Sequence, residues 1–348
     1  MISPLKRAYH LYRRFFPRYL ISYLPSPHPL SMHIDPCNIC NFKCIFCPTS
    51  DPALLHEAGR PAQMMNFTLY KKIIDDLSDL LGPDKQLATL HLYKDGEPFL
   101  NDKLFEMANY ARKMNVARII QTTTNGSFLL DRLDKLIKSK FDMIRISVEH
   151  IHRDGYHRIT KKDNAFDKVR SGIACLYKEK SKHNPALKVV VKINDTALNT
   201  EEKEQFHAMF GEISDETRID TLMGWSYSEI KDFTLGIKVD KGMDSVTPLK
   251  EKVICPEPFH SLAVNPTGSV SVCCVDWSYK TIVGNTTAQT LREIWEGKEL
   301  RHFRYLHIRN RRKEIAPCAH CQFLSGFSEI NNLDRYEQRL SRMYDFKE

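Results

Sequence analysis

The chain has 348 residues, 51 of them Lys or Arg and 43 Asp or Glu, with a formal net charge of +8. Its 42% hydrophobic and 27% charged residues are those of an ordinary water-soluble fold. No run approaches the ~18 apolar residues of a membrane span, and MISPLKRAYHLYRRFFPRYL lacks the apolar core and cleavage site of a secretory signal. That predicts a cytoplasmic protein whose 10 cysteines serve as metal ligands more readily than as disulfides.

In chain order, the first predicted element is a basic aromatic segment over residues 1–29. Lys6, Arg7, Arg13, Arg14 and Arg18 precede the first acidic residue, Asp35, with Leu11, Phe15, Phe16, Tyr19 and Leu20 interleaved. Such a segment can lie peripherally on an anionic membrane surface, or pack as a terminal helix on its own domain. Elsewhere the basic residues are mixed with acidic ones, which argues against a nucleic-acid partner.

From about residue 30, strand-like and helix-like stretches alternate. LSMHI has period two, and FTLYKKIIDDLSDLL places Leu69, Ile73, Leu77 and Leu80 or Leu81 on one helical face behind the potential cap Asn66. LATLHLY precedes helical DKLFEMANYARKM, and ARIIQTTTNG precedes FLLDRLDKLIKS. MIRISVE then precedes AFDKVRSGIACLYKE, and LKVVVKI precedes EEKEQFHAMFGEI. A sixth candidate unit spans about 217–235. The rhythm predicts an α/β fold, a partial (βα)6 TIM-like barrel, with chemistry at the carboxyl ends of the strands.

After the first strand comes CNICNFKCIFC, four cysteines in eleven residues. Read as two CxxC pairs, Cys37/Cys40 and Cys44/Cys47, it suits tetrahedral zinc, although only three residues separate the pairs. Read as CxxxCxxC, Cys40, Cys44 and Cys47 hold three irons of a [4Fe–4S] cube and leave the fourth iron open. With Phe46 before the last cysteine, at the end of the first strand of a βα barrel, this motif resembles the radical S-adenosylmethionine (SAM) enzymes. The resemblance implies that the open iron binds SAM and that the reduced cluster generates a 5′-deoxyadenosyl radical. It also implies an external electron donor such as flavodoxin or ferredoxin. Cys37 falls outside the motif and reads as a small buried residue.

Later strand ends extend the resemblance. DGEP (Asp95, Gly96, Glu97, Pro98) is similar to the family's GGEP, whose backbone contacts the cofactor amino group, with Asp95 in place of the first glycine. TTTNG is similar to the TNG segment and implies that Asn125 bonds the ribose or shapes the turn. ISVEHIHRDGYHRI resembles ISxD…R, which implies Ser147 and Glu149 near the ribose and Arg158 reaching the carboxylate. Glu149 stands where aspartate is commoner.

After about residue 240 the rhythm stops, and five cysteines fall within residues 255–321. Cys255, Gly268 and Cys273 fit C-x12-G-x4-C, followed by Gly284–Asn285, Trp295 and the CxxC of Cys318 and Cys321. This series resembles the SPASM or shorter Twitch auxiliary module. On chemistry alone, zinc and iron–sulfur both suit these thiols. Joined to a radical barrel, the resemblance implies one auxiliary [4Fe–4S] cluster held by Cys255, Cys273, Cys318 and Cys321, closed and suited to electron transfer. Cys274, beside Cys273, is a candidate hydrogen donor, and Cys175 reads as core.

The expected organisation is the basic segment to residue 29, a barrel over 30–240, an auxiliary module over 241–330 and a helical tail over 331–348. The expected activity is hydrogen abstraction from a substrate C–H bond. Oxidation or epimerisation of a sugar, aminocyclitol or similar small molecule is favoured, because residues 1–29 are too short for a leader-binding domain. Peptide or protein modification and a non-catalytic metal-binding protein are the alternatives.

Overall fold

The structure, a computed structural model, describes residues 19–344 apart from 197, 228, 229 and 244. The basic residues Lys6, Arg7, Arg13, Arg14 and Arg18 lie outside the described residues.

Six strands pair in parallel in chain order: β1 (Ser31–Ile34), β2 (Leu87–His91), β3 (Ala117–Thr124), β4 (Met143–Ser147), β5 (Lys188–Asp195) and β6 (Glu216–Thr221). The crossovers carry helices α1 (Phe67–Leu81), α2 (Leu104–Lys113), α3 (Leu133–Lys138), α4 (Arg153–Thr160), α5 (Ala165–His183) and α6 (Thr200–Gly211). Asn66 caps α1 by accepting from Thr68 N at 2.7 Å, and Gly82 ends the helix with φ of 72°. The buried face of α1 (Tyr70, Ile73, Ile74, Leu77) packs in one core with Met32, Ile34, Leu87 and Leu90 of the sheet. Each such side chain contributes about 1.5–3 kcal/mol by leaving water.

The sixth unit departs from expectation. Strand β6 is present, but among the described residues no helix follows it before the single turn Glu257–His260. Gly224, Gly236, Gly242 and Pro248 interrupt any 3.6-residue apolar period there, so the chain runs in turns.

The sheet also continues past the barrel. β7 (Ser261–Val264) pairs in parallel with β1, from Ser31↔Ser261 to Ile34↔Val264. β8 (Ser269–Ser271) and β9 (Ile282–Asn285) then extend it as antiparallel strands, giving the order β6-β5-β4-β3-β2-β1-β7-β8-β9. The cysteine-rich C-terminal part is thereby built onto the free edge of β1, the strand that leads into the first cysteine loop. A second apolar cluster joins Leu20, Ile21 and Leu24 to Ile254, Phe259, Ile308, Leu333 and Leu340.

Candidate active site

The first cysteine loop leaves β1 and is held by backbone bonds to its neighbours. Lys43 N and Ile45 N donate to Thr160 O and Ile159 O, both at 3.0 Å, which hangs the loop on the carboxyl end of α4. Glu97 N donates to Ile39 O at 2.9 Å. A Cβ on Gly96 would stand 2.3 Å from Cys37 O and 2.4 Å from Ile39 O, so only glycine lets the DGEP turn approach this loop.

Cys40, Cys44 and Cys47 are half-buried, whereas Cys37 is fully buried and donates its thiol to Ile39 O at 3.4 Å. Burial pushes the Cys40 thiol up to about 12 and raises Cys44 and Cys47 as well. The groups acting on Cys44 by charge are Glu149, Cys47 and Cys40, all acidic. Three buried thiols that repel one another and a carboxylate become thiolates together only around a cation, which fits the donor set of an iron–sulfur cluster.

Around the loop stand the other strand-end residues. Glu97 is buried and committed: its oxygens accept from Thr124 Oγ1 (2.7 Å), Asn125 N (2.7 Å) and Phe99 N (3.0 Å). It therefore ties the end of β2 to the end of β3, and Pro98 starts a tight turn after it. Asn125 donates Nδ2 to Asn41 Oδ1 at 2.8 Å and points at Cys40 Sγ at 3.9 Å, while its Oδ1 accepts from Ser127. Ser147 ends β4, half-buried.

Glu149 is buried, its Oε2 has no hydrogen-bond partner, and burial raises its pKa to about 7. The Tyr156 hydroxyl is likewise buried and unpartnered, and it feels the charges of Glu149 and Cys44. These two orphaned polar atoms lie in electrostatic reach of Cys44 and suit a polar group bound beside it. Arg158 is exposed on α4 and is not brought into this buried group.

Asp95 explains its own departure from GGEP. Its carboxylate takes Lys94 Nζ at 2.6 Å and Arg60 Nη1 at 3.6 Å. Lys94 also donates to Asp276 O at 2.9 Å, Arg60 to Trp277 O at 3.2 Å, and Asn38 Nδ2 to Tyr279 OH at 2.8 Å. The pair of cations thus bolts the first cysteine loop and the β2 turn to the segment that follows Cys273.

In that C-terminal part, Cys255, Cys273, Cys318 and Cys321 line one enclosed cavity with Glu257, His307 and Arg312. Burial raises Cys255 strongly and Cys318 to about 12, and the charges acting on Cys255 are those of Glu257, Cys318 and Cys321. His307 is buried, and burial lowers its pKa to about 3, so neutral Nδ1 accepts from Cys255 N at 3.4 Å. The four thiols again suit a cation-bearing cluster. One buried donor was not anticipated from the sequence: Glu257, whose Oε2 is unpartnered and whose carboxylate lies with the Cys273 and Cys274 thiols within 4.8 Å. Cys274 bonds to Cys273, lines neither this cavity nor the one below, and acts by charge on Tyr93.

A second cavity of about 310 Å³ lies between the two cysteine groups. Phe46, next to Cys47, lines one side, and Val275 and Phe323, each two residues beyond a cysteine of the second group, line another. Arg145, Lys192, Asn194, Arg218 and Asp220 enter from β4, β5 and β6. Deeper in the barrel, His33 and His91, register partners on β1 and β2, stack at 4.1 Å with planes 6° apart. Burial lowers both, His91 to about 3, so the interior imidazoles are neutral. Tyr93 packs edge-on to both rings and bonds Arg145. The three basic residues were the principal omission of the sequence reading. Their signal was available, since alternate positions of MIRIS, VVVKIN and TRID face the concave side.

Comparisons with known proteins agree with this arrangement. Residues 34–213 match the family described as the Radical SAM superfamily, and residues 255–322 match SPASM, an iron–sulfur cluster-binding domain. A probable GTP 3′,8-cyclase of Methanocella arvoryzae is 30% identical over 144 residues, 41% of this chain and 42% of the relative, so the chain spans under half the length of the curated relatives it matches. BtrN in complex with AdoMet and 2-DOIA superposes with a TM-score of 0.55 at 20% identity, over 86% of this chain and 95% of that one. Streptococcus suis SuiB bound to S-adenosylmethionine gives 0.62 at 16% identity, over 95% of this chain and 80% of that one. The structure of anSMEcpe with AdoMet and the Cp18Cys peptide gives 0.58 at 16% identity, over 91% and 96%. At these identities the solved structures establish a shared fold.

Proposed function

The chain belongs to the radical SAM superfamily, and on that premise we propose that it takes a hydrogen atom from a C–H bond of a small molecule bound between the two cysteine groups. The observation that carries the proposal is the roughly 310 Å³ cavity lined by Phe46 on one side and by Val275 and Phe323 on another. A volume near 300 Å³ is at the small end of ligand sites and suits a sugar-, aminocyclitol- or nucleoside-sized group rather than a folded protein.

In this reading Cys40, Cys44 and Cys47 hold the SAM-binding cluster, and Cys255, Cys273, Cys318 and Cys321 hold one auxiliary cluster. When bound, the first cluster with SAM supplies a hydrogen-abstracting 5′-deoxyadenosyl radical, and the second supplies a one-electron acceptor. The protein's own residues do the rest. The Gly96–Pro98 backbone and Asn125 shape the cofactor side of the site, and Ser147 and Glu149 offer polar atoms to it. Phe46, Met223, Trp225, Val275 and Phe323 surround the cavity with apolar surface and exclude water from the substrate carbon. Arg145, Lys192 and Arg218 orient the substrate.

A substrate carbon radical that loses a proton and an electron gives an oxidised product; one that receives a hydrogen atom from a thiol gives an epimer. Cys274 divides the two. Its free thiol hydrogen-bonds to Cys273 and stands with Glu257 beside the second cysteine group, which favours oxidation. The test uses cluster-loaded, reduced protein assayed for 5′-deoxyadenosine and for the substrate product. Retained product with Cys274→Ala supports oxidation; retained deoxyadenosine with lost product transfers the role to the thiol. No deoxyadenosine from the wild type would refute the radical reading altogether.

A further inference from the structure

The cavity between the cysteine groups carries an unusual charge pattern. Lys192 on β5 and Arg218 on β6 are direct register partners, so two like charges stand on neighbouring strands with side chains on one face. Arg145 on β4 lies two residues before Ser147, the register partner of Lys192. Directly opposed like charges destabilise a sheet. A protein keeps such an arrangement where something negative sits over it.

The acidic residues nearby do not fill that role. Asp220 is the single carboxylate among the cavity residues. It stands 3.4 Å from Lys192 and 3.5 Å from Arg218, and Glu216 is 3.9 Å from Arg218. Charge-assisted hydrogen bonds close to about 2.7–2.9 Å, and pairs elsewhere on β5 do so, as Lys203 with Asp195 at 2.6 Å. Among the described residues no carboxylate pairs with Arg145: its guanidinium bonds the neutral Tyr93 hydroxyl and lies 5.3 Å from that ring centroid, and its buried Nε has no partner among them. Asp220 is shared by Lys192 and Arg218, Glu216 is shared by Arg218 and Lys188, and the further carboxylate that Lys192 acts on is Glu149, so positive charge stays in excess at the cavity wall.

We propose that the substrate carries a phosphate group and that Arg145, Lys192 and Arg218 hold it. The proposal rests on the substrate cavity assigned above and adds the chemical class of its occupant. Charge decides between phosphate and carboxylate. A phosphate monoester carries about −1.5 to −2 near neutral pH and three acceptor oxygens, which suits a wall of excess positive charge offering three separate donors. A carboxylate carries one charge and two oxygens, and would leave one of the three donors without an acceptor. Arginine's planar fork and lysine's compact ammonium are both established phosphate donors.

The test is isothermal titration of the cluster-loaded protein with inorganic phosphate and, separately, acetate at matched ionic strength. Three proteins are compared: wild type, Arg218→Gln, and Lys182→Gln as a charge-loss control. Arg218 is 43% exposed, so its replacement disturbs little packing. Lys182 pairs with Glu179 on the exposed end of α5 and lies outside the cavity. The expected result is phosphate binding to the wild type at least about tenfold tighter than acetate, a further loss of about tenfold or more in Arg218→Gln, and wild-type affinity in Lys182→Gln. Lys192→Gln, expected to lose phosphate affinity likewise, provides a second variant. Equal binding of phosphate and acetate, equal losses in Arg218→Gln and Lys182→Gln, or no phosphate binding would overturn the proposal. Deoxyadenosine formation by the same wild-type preparation is read separately, so failure of the radical reading and failure of the phosphate assignment are distinguishable.

Discussion

In the proposed reading the two cysteine groups meet one chemical problem, holding thiolates around iron, by opposite means. The first takes Cys40, Cys44 and Cys47 from a single loop and fixes it by backbone bonds to the ends of neighbouring elements. The unpartnered oxygens of Glu149 and Tyr156 lie in electrostatic reach of its Cys44. The second gathers Cys255, Cys273, Cys318 and Cys321 from three distant segments around an enclosed cavity, with the loop after Cys273 organised by Asp276, which accepts from Ser278, Lys280 and Thr281. A contiguous loop leaves room for a reacting ligand, whereas convergence from several segments closes the site and gives it a structural and electron-accepting character.

That contrast can be broken experimentally, and the largest effect is expected in the closed group. Cys318→Ala removes one of the convergent thiols; the iron count should fall from about eight to about four per chain, while SAM cleavage persists. An iron count that stays near its original value would mean that Cys318 is not a ligand, or that Glu257 or Cys274 replaces it. Gly96→Ala attacks the open group, since its Cβ would stand 2.3 Å from Cys37 O. Thermal unfolding should report a loss of about 1–3 kcal/mol, and deoxyadenosine formation should fall with it. An unchanged transition would contradict the close approach of the DGEP turn to the cysteine loop.

The smallest effect concerns the bolt between the groups. Asp35 is buried beside Asp95, and burial followed by that neighbour raises its pKa to about 7. A carboxyl whose folded pKa lies above its ordinary value of about 4 binds more proton in the folded chain, so stability falls as pH rises from about 4 to about 7. Asp35→Asn should flatten that slope, by at most about 1.4 kcal/mol per pH unit, in denaturant titrations across the window. An unchanged slope would show that Asp35 is not the group responsible.

Features set by local pattern could be read from the sequence. The helix over Phe67–Leu81 and its Asn66 cap follow from apolar spacing and one side chain, and the strand segments follow from period two. CxxxCxxC is legible because its three cysteines share one loop. Features set by distant partners were not legible. Nothing local in SLAV announces that β7 pairs with β1, because register between strands over two hundred residues apart is fixed only by tertiary packing. The unit after β6 read as helical in outline but carries glycines that end the period. Glu257 has no local pattern that marks it, and only folding brings its carboxylate to Cys273 and Cys274. Arg145, Lys192 and Arg218 were visible as alternation but acquire meaning only when three strands lie side by side.

If Cys40, Cys44 and Cys47 hold the one cluster open to SAM, electron paramagnetic resonance of the reduced, cluster-loaded protein with and without SAM reads it directly, in the wild type and in the Cys40→Ala, Cys44→Ala, Cys47→Ala triple variant. SAM should alter the wild-type spectrum, and the triple variant should keep a cluster signal indifferent to SAM. A wild-type spectrum unmoved by SAM, or a SAM response that survives in the triple variant, would overturn this assignment.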